Sequence, residues 1–253
     1  MSDADTPTGS SAAPAPDAAD SRATFVRDVG AIVVAAGRGT RTGSSELKQF
    51  RWVAGKPMLL HSVQTLQSRL DVGLVVCVLP RSHAADPPPW LFQSDLERLM
   101  VTVGGRTRME SVIAGLEELP DEIRYVLVHD AARPLAPATM IARVLAEARR
   151  GHGAIAALPV VDTLKEVDAD GHIVRTVDRT ALWRAQTPQA FPREMLDRAY
   201  LDARNARIDV TDDAGACERL GLPVVVVRGS ERAMKVTDEA DFARVETMLT
   251  LDD

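Results

Sequence analysis

Ala31-Ile32-Val33-Val34-Ala35-Ala36-Gly37-Arg38-Gly39-Thr40-Arg41-Thr42-Gly43 decides how the rest of the chain is read. Its first half is a short unbroken apolar run ending in glycine, the pattern of a strand buried on both faces of a sheet. Its second half is a loop whose glycines let backbone N–H groups approach an anion. In an open α/β sheet, ligands collect at the carboxyl ends of the strands, so this loop is the first candidate site. Two phosphate-binding spacings can be tested on it. A P-loop starting at Gly37 or Gly39 needs glycine at Thr42 or Ser44 followed by lysine, and a dinucleotide fingerprint needs glycine at Thr42. Both fail, which weighs against an NAD-dependent dehydrogenase. The loop carries cations instead: Arg38, Arg41 and then Lys48. Between Arg38 and Lys56 there are five basic residues and one acid, Glu46. That composition suits the polyanionic tail of a nucleoside triphosphate.

Working outward, Pro57 opens a helix with Met58, Leu59, Val63 and Leu66 on one face. Residues 74–79 form the next strand, and a connection through Pro87-Pro88-Pro89 leads to a third at 100–103. Met109, Val112, Ile113, Leu116 and Leu119 mark another amphipathic helix, followed by a buried strand at 125–128. Pro137 opens a helix carrying Met140, Ile141, Val144 and Leu145, and a strand at 154–161 comes after it. This succession of β-to-α crossovers predicts an α/β fold, a doubly wound and mostly parallel sheet with helices on both faces. The order then breaks. Residues 163–167 and 172–177 flank Asp168-Ala169-Asp170-Gly171, a hairpin signature, and the region of about 160–185 is expected to protrude as a β-arm. A strand at 224–227 and a helix over about 238–249 complete the pattern.

The 253 residues are 45% hydrophobic and 26% charged, enough for one large domain, expected over 25–253. Residues 1–24 are rich in Ala, Pro, Ser, Thr and Asp and lack the basic start and apolar core of a secretory signal, so they predict a disordered tail. No apolar run approaches the roughly 20 residues that cross a bilayer, which predicts no membrane partner. Two isolated thiols, Cys77 and Cys217, make neither a disulfide framework nor a zinc cluster and suit a cytoplasmic protein. A net charge of −6 weighs against nucleic acid as a partner while leaving room for a locally basic site.

The segment Ala35-Ala36-Gly37-Arg38-Gly39-Thr40-Arg41, then Lys48-Gln49, then Gly55-Lys56-Pro57-Met58-Leu59, resembles the sugar-nucleotidyltransferase superfamily. Further matches follow in order: Gly104-Gly105 with Ser111-Val112, His129-Asp130-Ala131-Ala132-Arg133-Pro134, Gln186-Thr187-Pro188-Gln189, Thr211-Asp212-Asp213-Ala214 and Lys235-Val236-Thr237. Together they narrow the resemblance to the 2-C-methyl-D-erythritol 4-phosphate cytidylyltransferase family. The resemblance implies transfer of CMP from CTP to that sugar-alcohol phosphate in non-mevalonate isoprenoid precursor synthesis, giving 4-diphosphocytidyl-2-C-methyl-D-erythritol and pyrophosphate. The attacking phosphate monoester has a second pKa of about 6 and needs no general base. Bringing two anions together is the difficulty, so cations and positioning should dominate catalysis.

By the same resemblance, Arg41 and Lys48 stabilise charge at the α-phosphate. The backbone at Ala35, Ala36, Gly37 and Gly39 holds the nucleotide, with Arg108 also binding it. Gly104, Gly105 and Ser111 surround the cytosine, and Lys235 positions the attacking phosphate. Asp130 closes a strand where one carboxylate can share a phosphate-bound Mg2+, although its position also allows it to cap the loop or pair with Arg133. Arg179 and Thr211, with Thr187 and Arg133 nearby, bind the acceptor. Because Arg179 lies on the arm, which in the resembling enzymes crosses to a second subunit, a homodimer is implied. Ribitol 5-phosphate is the alternative acceptor. A catalytically silent nucleotide-binding regulator is the alternative class, and it predicts loss of Arg41, Lys48 or Asp130, all of which are present.

Overall fold

The computed structural model describes residues 26–37 and 47–250. The expected tail at 1–24 and, in the first loop, Arg38, Gly39 and Arg41 lie outside the described residues. The opening apolar run becomes β1 (Val29–Val34), buried along nearly its whole length. A small ribbon follows, β2 (Trp52–Val53) and β3 (Lys56–Pro57), then α1 (Met58–Gln67), β4 (Val72–Leu79) and the short α2 (Arg81–Ala85). Next come β5 (Leu99–Val103), α3 (Arg108–Glu117), β6 (Tyr125–Asp130), α4 (Ala138–Ala148) and β7 (Gly153–Pro159). A hairpin of β8 (Leu164–Val167) and β9 (Ile173–Val177) precedes β10 (Trp183–Pro192), α5 (Arg193–Asn205) and α6 (Asp213–Glu218). The described chain closes with β11 (Val224–Arg228) and α7 (Glu239–Thr250). The ribbon turns at Ala54 and Gly55, both with positive φ (44° and 76°), a conformation that costs glycine little.

Seven strands form one sheet in the order β11-β7-β10-β6-β1-β4-β5. Every neighbouring pair is parallel except the two that β10 makes with β6 and β7. The doubly wound reading holds, with one reversed strand that the hydrophobic pattern does not reveal. Gln186, Thr187 and Gln189 put polar groups where a buried strand carries apolar ones, and Pro188 cannot donate to a ladder. The fold accommodates both. The register with β7 slips between Gln186 and Gln189, around the proline. Gln186 exchanges hydrogen bonds with the Ser230 backbone, and Gln189 donates to Asp212 while accepting from the Ala214 N–H.

Alternation along the central strands divides the core. Ala31, Val33, Val75, Cys77 and Leu127 face α1 and α4, meeting Leu59, Val63, Met140 and Val144. Ile32, Val76, Val78, Val126 and Val128 face the other way, onto Met109, Val112 and Leu116 of α3 and Leu196 and Tyr200 of α5. Each such aliphatic side chain contributes about 1.5–3 kcal/mol on burial, so the strand ends are held rigidly. A third cluster packs Phe242 and Val245 of α7 against Val53, Met58, Ala132 and Leu135, with Val236 among them. That packing lays the segment before α7 over the loop after β6. The β8–β9 hairpin lies apart from these clusters: its strand residues are exposed except for the half-buried Leu164 and Val177.

Candidate active site

From β1 the chain winds to β4 and β5 on one side, then returns to β6 on the other. The loops after β1 and β6 therefore diverge at the carboxyl ends of the two strands, where Val34 and Asp130 lie side by side. A cavity of about 340 Å³ opens there. One wall is the backbone of Ala36 and Gly37. Buried Gln49 donates through Nε2 to the carbonyls of Ala35 (2.6 Å) and Gly37 (3.1 Å), pinning the start of the loop. Lys48 enters the cavity from the same short turn, anchored by buried Phe50, whose ring lies 4.6 Å from His83 and 5.7 Å from Trp90. Its Nζ donates to the Val236 carbonyl at 2.8 Å.

The opposite wall is the turn between β5 and α3. A Cβ at Gly104 would stand 2.2 Å from the Ala36 Cβ, so glycine is required for this close approach. The Gly105 N–H donates to Ser111 Oγ (3.2 Å), and that hydroxyl donates to the Thr107 carbonyl (2.9 Å). Thr107 caps α3 by accepting from the Glu110 N–H.

Asp130 stands between three cations. Lys235 donates to Oδ2 at 2.7 Å, Arg108 Nε faces Oδ1 at 3.4 Å, and Arg133 Nε lies 3.9 Å from Oδ2. Burial alone would raise the Asp130 carboxyl, but Arg108, Lys235 and Arg133 outweigh it and hold it well below the usual carboxylate range. Asp130 is the only carboxylate among the described residues that line the cavity. A hard divalent cation commonly takes one or two carboxylates and completes its shell from phosphate oxygens and water, so this ionised oxygen donor fits one. Beneath it, the His129 Nε2 donates to the Arg133 carbonyl, which fixes Nδ1 as the acceptor for the Thr187 hydroxyl. Thr187 Oγ1 in turn accepts from the Asp130 N–H. Burial lowers His129 to about 4, so the imidazole is neutral.

With this geometry in view, comparison with known proteins is decisive. The family model described as 2-C-methyl-D-erythritol 4-phosphate cytidylyltransferase matches residues 29–251. A protein of that name from Xanthomonas campestris pv. campestris (strain B100) is 47% identical over 224 residues, covering 86% of this chain and 83% of its own. The Frankia casuarinae protein of the same name is 44% identical over 223 residues, covering 87% and 81%. The crystal structure of the Thermus thermophilus protein of that name superimposes with a TM-score of 0.74 at 33% identity, covering 87% of this chain and 98% of that one. This chain belongs to the 2-C-methyl-D-erythritol 4-phosphate cytidylyltransferase family. It is a nucleotidyltransferase.

The structure brings most of the family-motif residues to one cavity: Ala36, Gly37, Lys48, Gly105, Arg108, Ser111, Asp130 and Lys235 all line it. Four other residues of the quoted motifs stand beside the cavity without lining it. Ala35 stands behind the wall, its N–H spent on the Val78 carbonyl and its own carbonyl on Gln49. Gly104 acts by narrowing the wall and does not line the cavity. Thr187 is buried and its hydroxyl bridges His129 and Asp130, so it supports the strand end. Arg133 is tied to the Ala233 and Ala185 carbonyls and braces Asp130 from outside. Thr211 and Arg179 are exposed elsewhere, and the Arg179 guanidinium donates to the Val161 carbonyl within its own arm. The cavity also contains Arg106 and Thr107, and Thr237 of the Lys235-Val236-Thr237 match, none of which was given a role of its own. Thr107 had a legible signal, a threonine with glutamate three residues on at a helix start.

Proposed function

We propose that this chain transfers CMP from CTP to 2-C-methyl-D-erythritol 4-phosphate, forming 4-diphosphocytidyl-2-C-methyl-D-erythritol and releasing pyrophosphate. The observation that carries the reading is the charge pattern of the cavity, where Lys48 shares the lining with a single ionised carboxylate that Arg108 and Lys235 flank, at the switch point of the family's fold. A phosphate monoester attacks without a general base, and Asp130, held strongly acidic, is too weak a base to act as one. The chain's own task is to hold two anions together. Lys48, with Arg41 from the loop outside the described residues, offsets charge that grows on the α-phosphoryl oxygens, an effect of about 10²–10³ per donor in comparable sites. The amides of Ala36, Gly37 and Gly39 receive the triphosphate, and the narrow wall at Gly104 and Gly105 favours a pyrimidine ring.

Asp130 would hold a divalent cation, Mg2+ in this reading, whose chemistry when bound is to withdraw charge from phosphate oxygens. Lys235 guides the attacking phosphate toward the nucleotide. Arg179 and Thr211 grip the acceptor, with Arg133 and Thr187 supporting the wall beside it. Arg179 lies on an exposed arm and outside its own chain's cavity, which supports a homodimer in which each arm completes the neighbour's site. Cys77 and Cys217 are free and buried, which supports a reducing, cytoplasmic setting, and no helix of the described residues is long and apolar enough to cross a membrane.

The test is pyrophosphate release by the purified protein with Mg2+ and CTP, offered either 2-C-methyl-D-erythritol 4-phosphate or ribitol 5-phosphate, beside Lys48→Ala. Release only with the methylerythritol phosphate, reduced about a hundredfold or more in the variant, is expected. Release only with ribitol 5-phosphate replaces the acceptor. No release with either, despite CTP binding, refutes the catalytic reading.

A further inference from the structure

Asp213 is fully buried at the start of α6, and both of its oxygens are engaged. Arg108 donates to it through Nη1 at 3.1 Å and Nη2 at 2.7 Å, and the Tyr200 hydroxyl donates to Oδ1. The pair spans 105 positions and joins α6 to the first residue of α3. Only the Nε edge of the same guanidinium faces Asp130, at 3.4 Å, while Lys235 occupies the other Asp130 oxygen. Tyr200, Asp213, Arg108, Asp130 and Lys235 thus form one continuous line from the core beneath α3 and α5 to the cavity wall.

A guanidinium in this place has two carboxylates within reach. Two short, parallel bonds to Asp213 outweigh one long contact with Asp130, because the planar fork matches both oxygens of a carboxylate at once. Burial would lower the Arg108 charge, and the carboxylates of Asp213 and Asp130 more than restore it. Neither Asp213 nor Tyr200 lines the cavity, so whatever they do for the nucleotide passes through Arg108.

We propose that Asp213, steadied by Tyr200, is a positioning residue for CTP binding: it holds the Arg108 fork at the nucleotide wall and prevents it from closing over Asp130. Without that carboxylate the fork turns onto Asp130, takes up the oxygens that the nucleotide and its cation need, and leaves the wall. The inference rests on the CTP reading given above.

The experiment is calorimetric titration of CTP with Mg2+ and no acceptor, so that no turnover occurs, into the full chain and into Asp213→Asn, Arg108→Met and the double variant. Circular dichroism confirms that each is folded. Asp213→Asn is expected to weaken CTP binding about tenfold, and the double variant to bind no more weakly than Arg108→Met alone. Wild-type affinity in folded Asp213→Asn, or losses that multiply in the double variant, would overturn the inference, because a merely structural ion pair acts independently of the wall. If Asp213→Asn does not fold, Tyr200→Phe enters the same cycle, with a weakening of about two- to threefold that vanishes on the Arg108→Met background. An unchanged affinity in Tyr200→Phe then refutes it. Failure of the wild type to bind CTP overturns the functional reading and this inference together, whereas wild-type binding that Asp213→Asn leaves intact overturns only the inference.

Discussion

The cavity at the carboxyl ends of β1 and β6 and the cleft near the amino end of β6 are built from similar residues to different effect. The amino-end cleft is the larger, about 510 Å³ against about 340 Å³. Its Arg124, Arg149 and Arg193 are matched by Asp121, Glu194 and Asp197. Its arginines are also spent on the protein itself: Arg149 binds Asp28 and Asp71, and Arg193 donates to the Leu119 and Pro120 carbonyls. At the carboxyl end, Lys48, Arg106, Arg108 and Lys235 share the lining with one carboxylate, Asp130, while Asp213 and Glu110, behind the lining, pair with Arg108 and Arg106 and leave the cations in excess. Volume does not mark the site. An excess of one charge sign at a place where backbone approach is allowed does, because only there is something left to attract an anion.

Four measurements sharpen or break this contrast. Asp130→Asn removes the one carboxylate that organises the cationic end, and kcat/KM should fall about a thousandfold, read by pyrophosphate release. A loss below tenfold would show that the cations organise themselves.

Acid should act through His129, below the same cavity. Burial holds its pKa at about 4 in the folded chain, against about 6.5 when unfolded. Its contribution is complete above the unfolded value and is lost as pH falls toward 4, since only the unfolded chain takes up the proton in that window. Between pH 7 and pH 5 this removes about 2 kcal/mol of stability. Denaturant titrations at both pH values should show wild type losing that much more unfolding free energy than His129→Gln, and equal losses would refute the assignment.

At the balanced end, Asp28→Asn leaves Arg149 with one partner fewer. Because Arg149 is partly exposed, the cost should be about 1 kcal/mol of stability, with pyrophosphate release unchanged. Arg124→Ala loses only its position 5.7 Å from the Tyr125 ring centre, and should shift stability by less than about 0.5 kcal/mol and leave CTP affinity alone. Weaker CTP binding in either variant would mean that the two ends of the sheet are coupled.

Much of the site was legible because its residues sit where strands meet helices. Gly37, Lys48, Gly105, Arg108, Ser111 and Asp130 all fall in or beside such loops, and motif and loop position agree there. Thr187 and Arg133 were legible as members of motifs, but the bonds they make were not. Whether a hydroxyl faces a ligand or bridges His129 to the Asp130 N–H depends on partners more than fifty residues away. Strand β10 was hidden for a related reason. Its polar residues are satisfied by Ser230, Asp212 and Ala214, so the apolar pattern that betrays a buried strand was never needed.

By itself the sequence determined the alternation of strands and helices as far as β7, the doubly wound sheet and the cationic loop after β1, but not β10 or α5. Those follow from periodicity, glycine and proline, which act within a few residues of chain. Only the tertiary structure decided that β10 enters the sheet reversed, that Lys235 reaches Asp130 and that Arg108 is anchored by Asp213. The two ion pairs each join partners 105 residues apart, and the polar groups of β10 find theirs 23 to 44 residues on, a choice that belongs to the packed core, which brings the partners together.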